Sequence, residues 1–437
     1  MSIFRKRPGI VQASTLLILA TGIFIDAEET KNPLKGIPLG FAYLDIGGGL
    51  RLRGQFQENF NIKKYAQGND GFGEERLRLE YSLRFMDDIN FLVQLQDAHV
   101  GGLKFTKDDF FPPYSSYVNP FDVRQMYGEY RNIANTPLGV KFGRQTIFYG
   151  DNRIFGPAEW CNVGRYFWDG IKFLLSTKYC TMDLFTAKQV ISDPYDLDTK
   201  HSDAIMGGLY SAVTFFNPAI DLFYALKLDD ENRFSCSTLG TRIDGNFSML
   251  FYSGTFAYQF GDTGTKKIDA YGLHARMGYL IPIAWHPEMG VEYSYASGDD
   301  DPADEMYKTF DGVFGAIDLF YGRMALFSWM NLKDYQINLD IKPTRKISAT
   351  LQHHWFELAE KKDAWYYGNR KAQRMDITGA SGSFLGSEIL LTVKYILNSH
   401  FNIYTGYCRF FPGEFILNTP GYKGESALAF LQAEYKF

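Results

Sequence analysis

Apolar and polar residues alternate one by one along much of this chain. Between Glu75 and Phe85, Leu77, Leu79, Tyr81, Leu83 and Phe85 hold one parity, and Arg76, Arg78, Glu80, Ser82 and Arg84 hold the other. Successive side chains reach opposite faces in an extended strand, so this segment reads as a strand with one oily face and one charged face. The same alternation places Leu50, Leu52 and Phe56 opposite Arg51, Arg53 and Gln55. It places Ile89, Phe91, Val93 and Leu95 opposite Asn90, Gln94 and Gln96, and Tyr335, Ile337, Leu339 and Ile341 opposite Gln336, Asn338, Asp340 and Lys342. No long window supports a helical period.

Repeating this reading predicts about eighteen strands. They fall near 47–60, 75–86, 89–99, 121–131, 138–147, 170–176, 180–188, 204–215 and 218–228. The rest fall near 236–244, 246–260, 267–281, 287–297, 334–342, 346–357, 386–398, 400–411 and 425–437. The segments 121–131 and 236–244 alternate least cleanly. Short turns ("MDD", "FNP", "KPTRK", "LNSH") follow even-numbered strands, and long Gly-, Asp- and aromatic-rich loops at 99–120, 148–169, 298–333 and 358–385 follow odd-numbered ones.

Two all-β architectures fit such a chain. A soluble sandwich or propeller packs its oily faces on a second sheet; a transmembrane antiparallel barrel turns them to lipid and its polar faces to a wet lumen. Strand length suits a tilted membrane crossing. Short turns at one end and long loops at the other, with aromatic residues crowding the strand ends, also favour the barrel. The final strand, "ALAFLQAEYKF", ends on Phe437 and looks like the closing strand through which barrel-assembly machinery recognises its clients. Lipid offers the backbone no hydrogen bonds, so the sheet must close on itself, and the lumen side takes the arginines.

Composition refines this picture. Arg5, Lys6 and Arg7 precede the mostly apolar "IVQASTLLILATGIFI" and Ala27, the layout of a signal peptide over residues 1–27, with the barrel over 28–437. Removing that segment leaves a net charge of about −7, which argues against a nucleic-acid binder. Cys161, Cys180, Cys236 and Cys408 have no metal-ligand or CxxC spacing, and no pairing is implied.

The stretch from 138 to 173 reads "LGVKFGRQTIFYGDNRIFGPAEWCNVGRYFWDGIKF". It carries Gly143-Arg144-Gln145, Tyr149-Gly150-Asp151, Arg153, Gly156-Pro157, Trp160 and Arg165 to Gly170 in order. With "LVQLQDA", "DVRQMYGEY", "YQFGD", "YASGDDDP" and "LAEKKDAWYYG" elsewhere, the chain resembles the alginate export porin family over about 47–370. Trp168 stands inserted where that family has Phe directly before Asp-Gly. The resemblance implies an eighteen-stranded outer-membrane barrel, a monomer, and passive export of an anionic polyuronate through an arginine-rich pore. A second reading makes these Gly, Pro and Asp positions structural, shaping loops that fold inward.

An anion channel needs fixed positive charge, and guanidinium offers a permanent charge in a planar fork matched to carboxylate. Strand parity nominates Arg51, Arg53, Arg76, Arg78, Arg84, Lys172, Arg242 and Arg276 as lumen residues. The family motifs add Arg124, Arg144, Arg153 and Arg165, with Glu80, Glu129, Asp151, Asp169 and Asp244 as acidic partners. The alternative role for each is an Arg–carboxylate brace across the lumen. The acidic loop 297–305 has a reading as a Ca²⁺ loop, but its spacing is not that of a known cation loop and a solvated loop is favoured; no cofactor is expected. His353 and His354 are adjacent on a strand and cannot share a metal. Rival functions are a general, uncharged-solute or cation porin, an adhesin, and a membrane-embedded hydrolase; none of the seven His has a catalytic setting.

Overall fold

The computed structural model describes residues 32–59, 68–104, 117–213, 215, 217–316, 319–368 and 370–437. The expected signal peptide and residues 105–116 of the first long loop lie outside the described residues. Eighteen long antiparallel strands form one closed barrel. They are β1 Tyr43–Glu58, β2 Asn69–Phe85, β3 Ile89–Gly101, β4 Asn119–Tyr130, β5 Leu138–Thr146 and β6 Phe167–Ser176. Then come β7 Cys180–Val190, β8 His201–Val213, β9 Ala219–Asp229, β10 Phe234–Phe247, β11 Leu250–Thr263 and β12 Lys266–Leu280. The last are β13 Glu288–Ala296, β14 Leu332–Ile341, β15 Ile347–Glu357, β16 Phe384–Ile396, β17 Phe401–Pro412 and β18 Ser426–Lys436. Each strand pairs with the next, and β18 returns to β1 with Lys436 opposite Gly49 and Ala427 opposite Glu58. Closure leaves no unpaired sheet edge.

The oily parity is bare. On β1, Leu52 and Phe56 are 40% and 52% exposed, whereas Arg51 and Arg53, on the other parity, are 4% and 2% exposed. Phe91, Phe142, Phe173, Leu222, Ile337, Leu391 and Leu431 continue an exposed apolar belt around the cylinder. A soluble sandwich would bury that face; a lipid-facing barrel displays it.

Even-numbered strands are followed by short turns such as 86–88, 248–249 and 397–400. Odd-numbered strands carry the long loops, except that 230–233 and 264–265 are tight turns. Loops 147–166, 297–331 and 358–383 turn back into the lumen. Phe155 bridges Phe314 between the first two, and Trp365 donates its indole N–H to the Leu326 carbonyl at 2.9 Å. Phe310, Phe327 and Trp329 join Phe356 and Phe410 of the wall in one apolar cluster. Each buried aromatic contributes about 1.5–3 kcal/mol of apolar burial, which holds loops that have no regular hydrogen-bond ladder.

The two weakly alternating segments do form strands, and β4 shows why its pattern blurs. Its pairing with β3 shifts register between Gln94/Leu95: Gln94 faces Gln125 but Leu95 faces Val123. Arg124 is the extra residue of this bulge. A bulge re-aims one side chain, so Arg124 and Gln125, though adjacent, both serve the lumen.

Candidate functional site

The centre of the lumen is an arginine cluster under loop 147–166. Cross-strand register places Arg51 of β1 opposite Arg76 of β2, and Arg78 opposite Gly49. Like charges side by side repel, so they require an anion between them. Glu159 supplies it from the loop: its carboxylate accepts from Arg76 Nη1 at 3.1 Å and Arg124 Nη2 at 3.1 Å, and Arg78 Nη2 lies 2.8 Å away. Arg51 donates to the Glu159 backbone carbonyl at 3.0 Å and to Asn162 Oδ1 at 3.2 Å. Burial acts to raise the Glu159 pKa, but Arg78, Arg124 and Arg76 outweigh it and hold the carboxyl well below its usual range. Among the described residues, three guanidinium groups thus share one side-chain carboxylate, which remains 37% exposed, and a fourth, of Arg51, is held by the backbone of the same loop.

The loop reaches this position through its glycine. Gly164 has φ +83°, and a Cβ there would sit 2.8 Å from Arg124 Nη2. Asn162 ties the loop to the wall carbonyls of Glu75 and His99 and to the carbonyl of Tyr117 just before β4, at 2.8–3.0 Å. Trp160, next to Glu159, lies between two cations: Arg53 at 4.0 Å from its ring centroid and Arg323, from loop 297–331, at 4.5 Å.

The other nominated residues divide into four groups. Arg53 forms a buried pair with Glu74 of β2. Lower in the lumen, toward the short turns, runs a series of ion pairs: Arg84 with Asp45 at 2.8 Å, Lys172 with Asp183 at 2.7 Å, Arg242 with Asp221 at 3.1 Å and with Asp244 at 2.5 Å, and Arg276 with Glu288 at 3.1 Å. Glu129 pairs with Arg131 and, at 3.8 Å, Lys141, while Glu80 accepts from Gln94 at 2.8 Å.

Arg153, Asp151 and Arg165 belong to the infolded loop and not to the barrel wall. Arg153 is 4% exposed, donates to Tyr321 Oη at 2.8 Å, lies 4.0 Å over Phe320 and pairs with Asp151 at 3.2 Å. Arg165 lies 5.1 Å over the ring of Tyr166.

Arg144 and Asp169 correct the lumen reading. Arg144 stands opposite Met126, which is exposed on the outer face, and opposite Asp169, which stands opposite Lys188. The pair, with nitrogen–oxygen distances of 2.9 and 3.1 Å, therefore lies on the outer side at the loop end, beneath loop 191–200, whose Asp198 carbonyl accepts from Arg144 at 2.8 Å. Inward positions here belong to Gln145 and Trp168, both buried.

In the acidic loop, Lys308 takes Asp300, Lys266 donates to the Pro302 carbonyl at 2.6 Å, and Asp304 accepts from the Met306 amide at 2.7 Å. Among the described residues no group of three or more His, Cys, Asp or Glu is arranged to hold a metal ion. The four cysteines are free thiols. His354 turns inward onto Asp334 at 3.0 Å, while His353 packs beside Trp355, on opposite faces as adjacency requires.

Sequence reasoning missed Glu159, Glu74 and Arg323. The signal for Glu159 was its place beside the motif Trp160, a carboxylate within a loop expected to fold inward.

Known proteins give the arrangement its setting. Solved structures similar to this one include a BenF-like porin from Pseudomonas fluorescens Pf-5 (11% identity, TM-score 0.60) and Pseudomonas aeruginosa OccK2 (11%, 0.57), each covering 90% of this chain and 98% of that chain. The outer membrane protein OpdK from Pseudomonas aeruginosa gives 11% identity and a TM-score of 0.58 over the same shares. At this identity they show the fold alone. No curated protein sequence matches the chain. The family model for alginate export matches residues 42–430. This protein therefore belongs to the alginate export family and is a passive outer-membrane channel of the Gram-negative type.

Proposed function

We propose that the lumen conducts anionic saccharides of the uronate class, with Arg51, Arg76, Arg78 and Arg124 setting the preference for anions. One observation carries this reading: Arg76, Arg78 and Arg124 meet around a single loop carboxylate with Arg51 on the backbone beside it, so the cluster keeps a positive surplus. Fixed charge between low-dielectric walls focuses its field along a pore. A bidentate guanidinium suits a sugar carboxylate better than a point charge does. One solved neighbour, Pseudomonas aeruginosa OccK2, is known in complex with glucuronate. The protein works without a cofactor and without catalysis, as a monomer, after export by its N-terminal signal and assembly through β18.

Reversal potentials across planar bilayers under a KCl gradient test the reading. Wild type is expected to favour chloride, and Arg78→Glu to reduce or reverse that preference while the barrel stays folded. A cation-selective wild type would overturn it in favour of a general or cation porin.

A further inference from the structure

The cross-strand lumenal ion pairs stop short of one sector. From β1 to β13 the half of the lumen nearest the short turns is lined by cross-paired cations and carboxylates. On β15 to β18 the wall changes to hydroxyls and amides around a cavity of about 330 Å³. That is near the lower end of ligand pockets, which span about 300–1,000 Å³.

Register shows how this sector is built. Ser348, Lys394, Tyr404 and Gln432 stand directly opposite one another across β15, β16, β17 and β18, and Gln432 stands opposite Arg53. One row of inward side chains thus runs from the polar pocket to the wall beside the arginine cluster. Thr350 stands one inward step further along β15, donating to Asp340. Lys394 is exposed to the lumen, and none of the ion pairs among the described residues includes it. Glu434, also in the pocket, is already engaged by Lys436 at 3.4 Å and by Asn402 at 3.2 Å. The Gln432 side-chain oxygen is shielded from solvent and accepts no hydrogen bond among the described residues. The roof is shared with the cluster: Arg323 donates to the Tyr404 hydroxyl at 3.3 Å and lies over Trp160.

We propose that this pocket is a saccharide site for a pyranose uronate, the carboxylate on Lys394 and the ring hydroxyls on Ser348, Tyr404 and Gln432. The proposal rests on the reading of the lumen as a uronate path and gives that path its station below the arginine cluster, on the short-turn side. A lone ammonium among hydroxyl and amide groups matches a ligand that carries one negative charge and several hydroxyls. A small inorganic anion would leave the hydroxyl and amide row unused. Passage then runs along the row from Lys394 to the wall at Arg53, with Trp160 and Arg323 overhead.

The test is current block in single channels by glucuronate or glucose added from the short-turn side. Wild type is expected to be blocked more strongly by glucuronate than by glucose. Lys394→Gln should weaken glucuronate block about tenfold and leave glucose block unchanged, as expected for loss of one charge-assisted contact. Gln432→Ala should weaken both sugars several-fold alike. Unchanged glucuronate block in Lys394→Gln, or equal block from both sides, overturns the site. Both positions lie on the lumenal wall, and an unaltered β-sheet circular dichroism spectrum and thermal unfolding midpoint certify that each variant has folded. The sugar-free reversal potential of Arg78→Glu judges the arginine cluster separately, so failure of either idea is read from its own measurement.

Discussion

At the scale of single residues, Glu159 decides the electrostatics of the lumen. Its carboxylate is the one side-chain anion held by Arg76, Arg78 and Arg124. Because its pKa is lowered in the folded state, the stability it contributes is full above the unfolded value of about 4.3 and is lost as pH falls through the folded value. The difference in urea midpoint between wild type and Glu159→Gln is therefore expected to stay flat from pH 7 to 5 and to shrink only in stronger acid. A difference that decays between pH 7 and 5 would mean the arginines do not hold the carboxylate. The same substitution leaves the guanidinium groups without their anion, so chloride preference should rise as stability falls. Gly164 is the second decisive residue. Its φ of +83° and the 2.8 Å approach to Arg124 leave no room for a side chain. Gly164→Ala should cost about 1–3 kcal/mol in unfolding titrations and shift the reversal potential, since the loop can dock only by moving Arg124.

At the scale of elements, the two faces of a strand answer to different solvents. Leu391 is exposed near the middle of β16, and Thr392 beside it is buried in the lumen. Leu391→Arg is expected to lower bilayer folding stability by about 2–4 kcal/mol, and Thr392→Arg to cost less where lumen water reaches it. Equal costs in refolding titrations would contradict the lipid-facing assignment. This two-faced logic is why the barrel was legible in the sequence. A period of two survives along each strand because every alternate residue meets lipid, and all eighteen strands fall where the alternation places them. Legibility failed where the backbone departs from that period. Arg124 sits in a bulge that resets its parity, and Arg144 follows Gly143, where small residues hide which face is which. The infolded loops carry no period at all: Phe310, Phe327 and Trp329 are placed by packing on wall residues far away in sequence. Glu159 and Arg323 act from those same loops, so these two members of the candidate site had no parity by which to be found.

At the scale of the whole molecule, net charge and local charge point in opposite directions. The chain carries a formal charge of −5, which taken alone would favour cations in the lumen. Permeation responds to the field along the path, and most acidic groups along it are matched by a neighbouring lysine or arginine. The surplus at the arginine cluster is what a passing ion meets once those pairs cancel. Screening separates the two descriptions. The Debye length is about 10 Å at 0.1 M salt and about 3 Å at 1 M, so a surplus acting across the open lumen weakens as salt rises. The chloride-to-potassium permeability ratio should therefore stand above unity in 0.1 M KCl and decline toward unity in 1 M KCl. Arg78→Glu should flatten that dependence, because it removes one cation and adds an anion at the same point. A wild-type ratio that stays below unity at low salt and rises with added KCl would show that the acidic total governs the pore, and would remove the arginine cluster from its role.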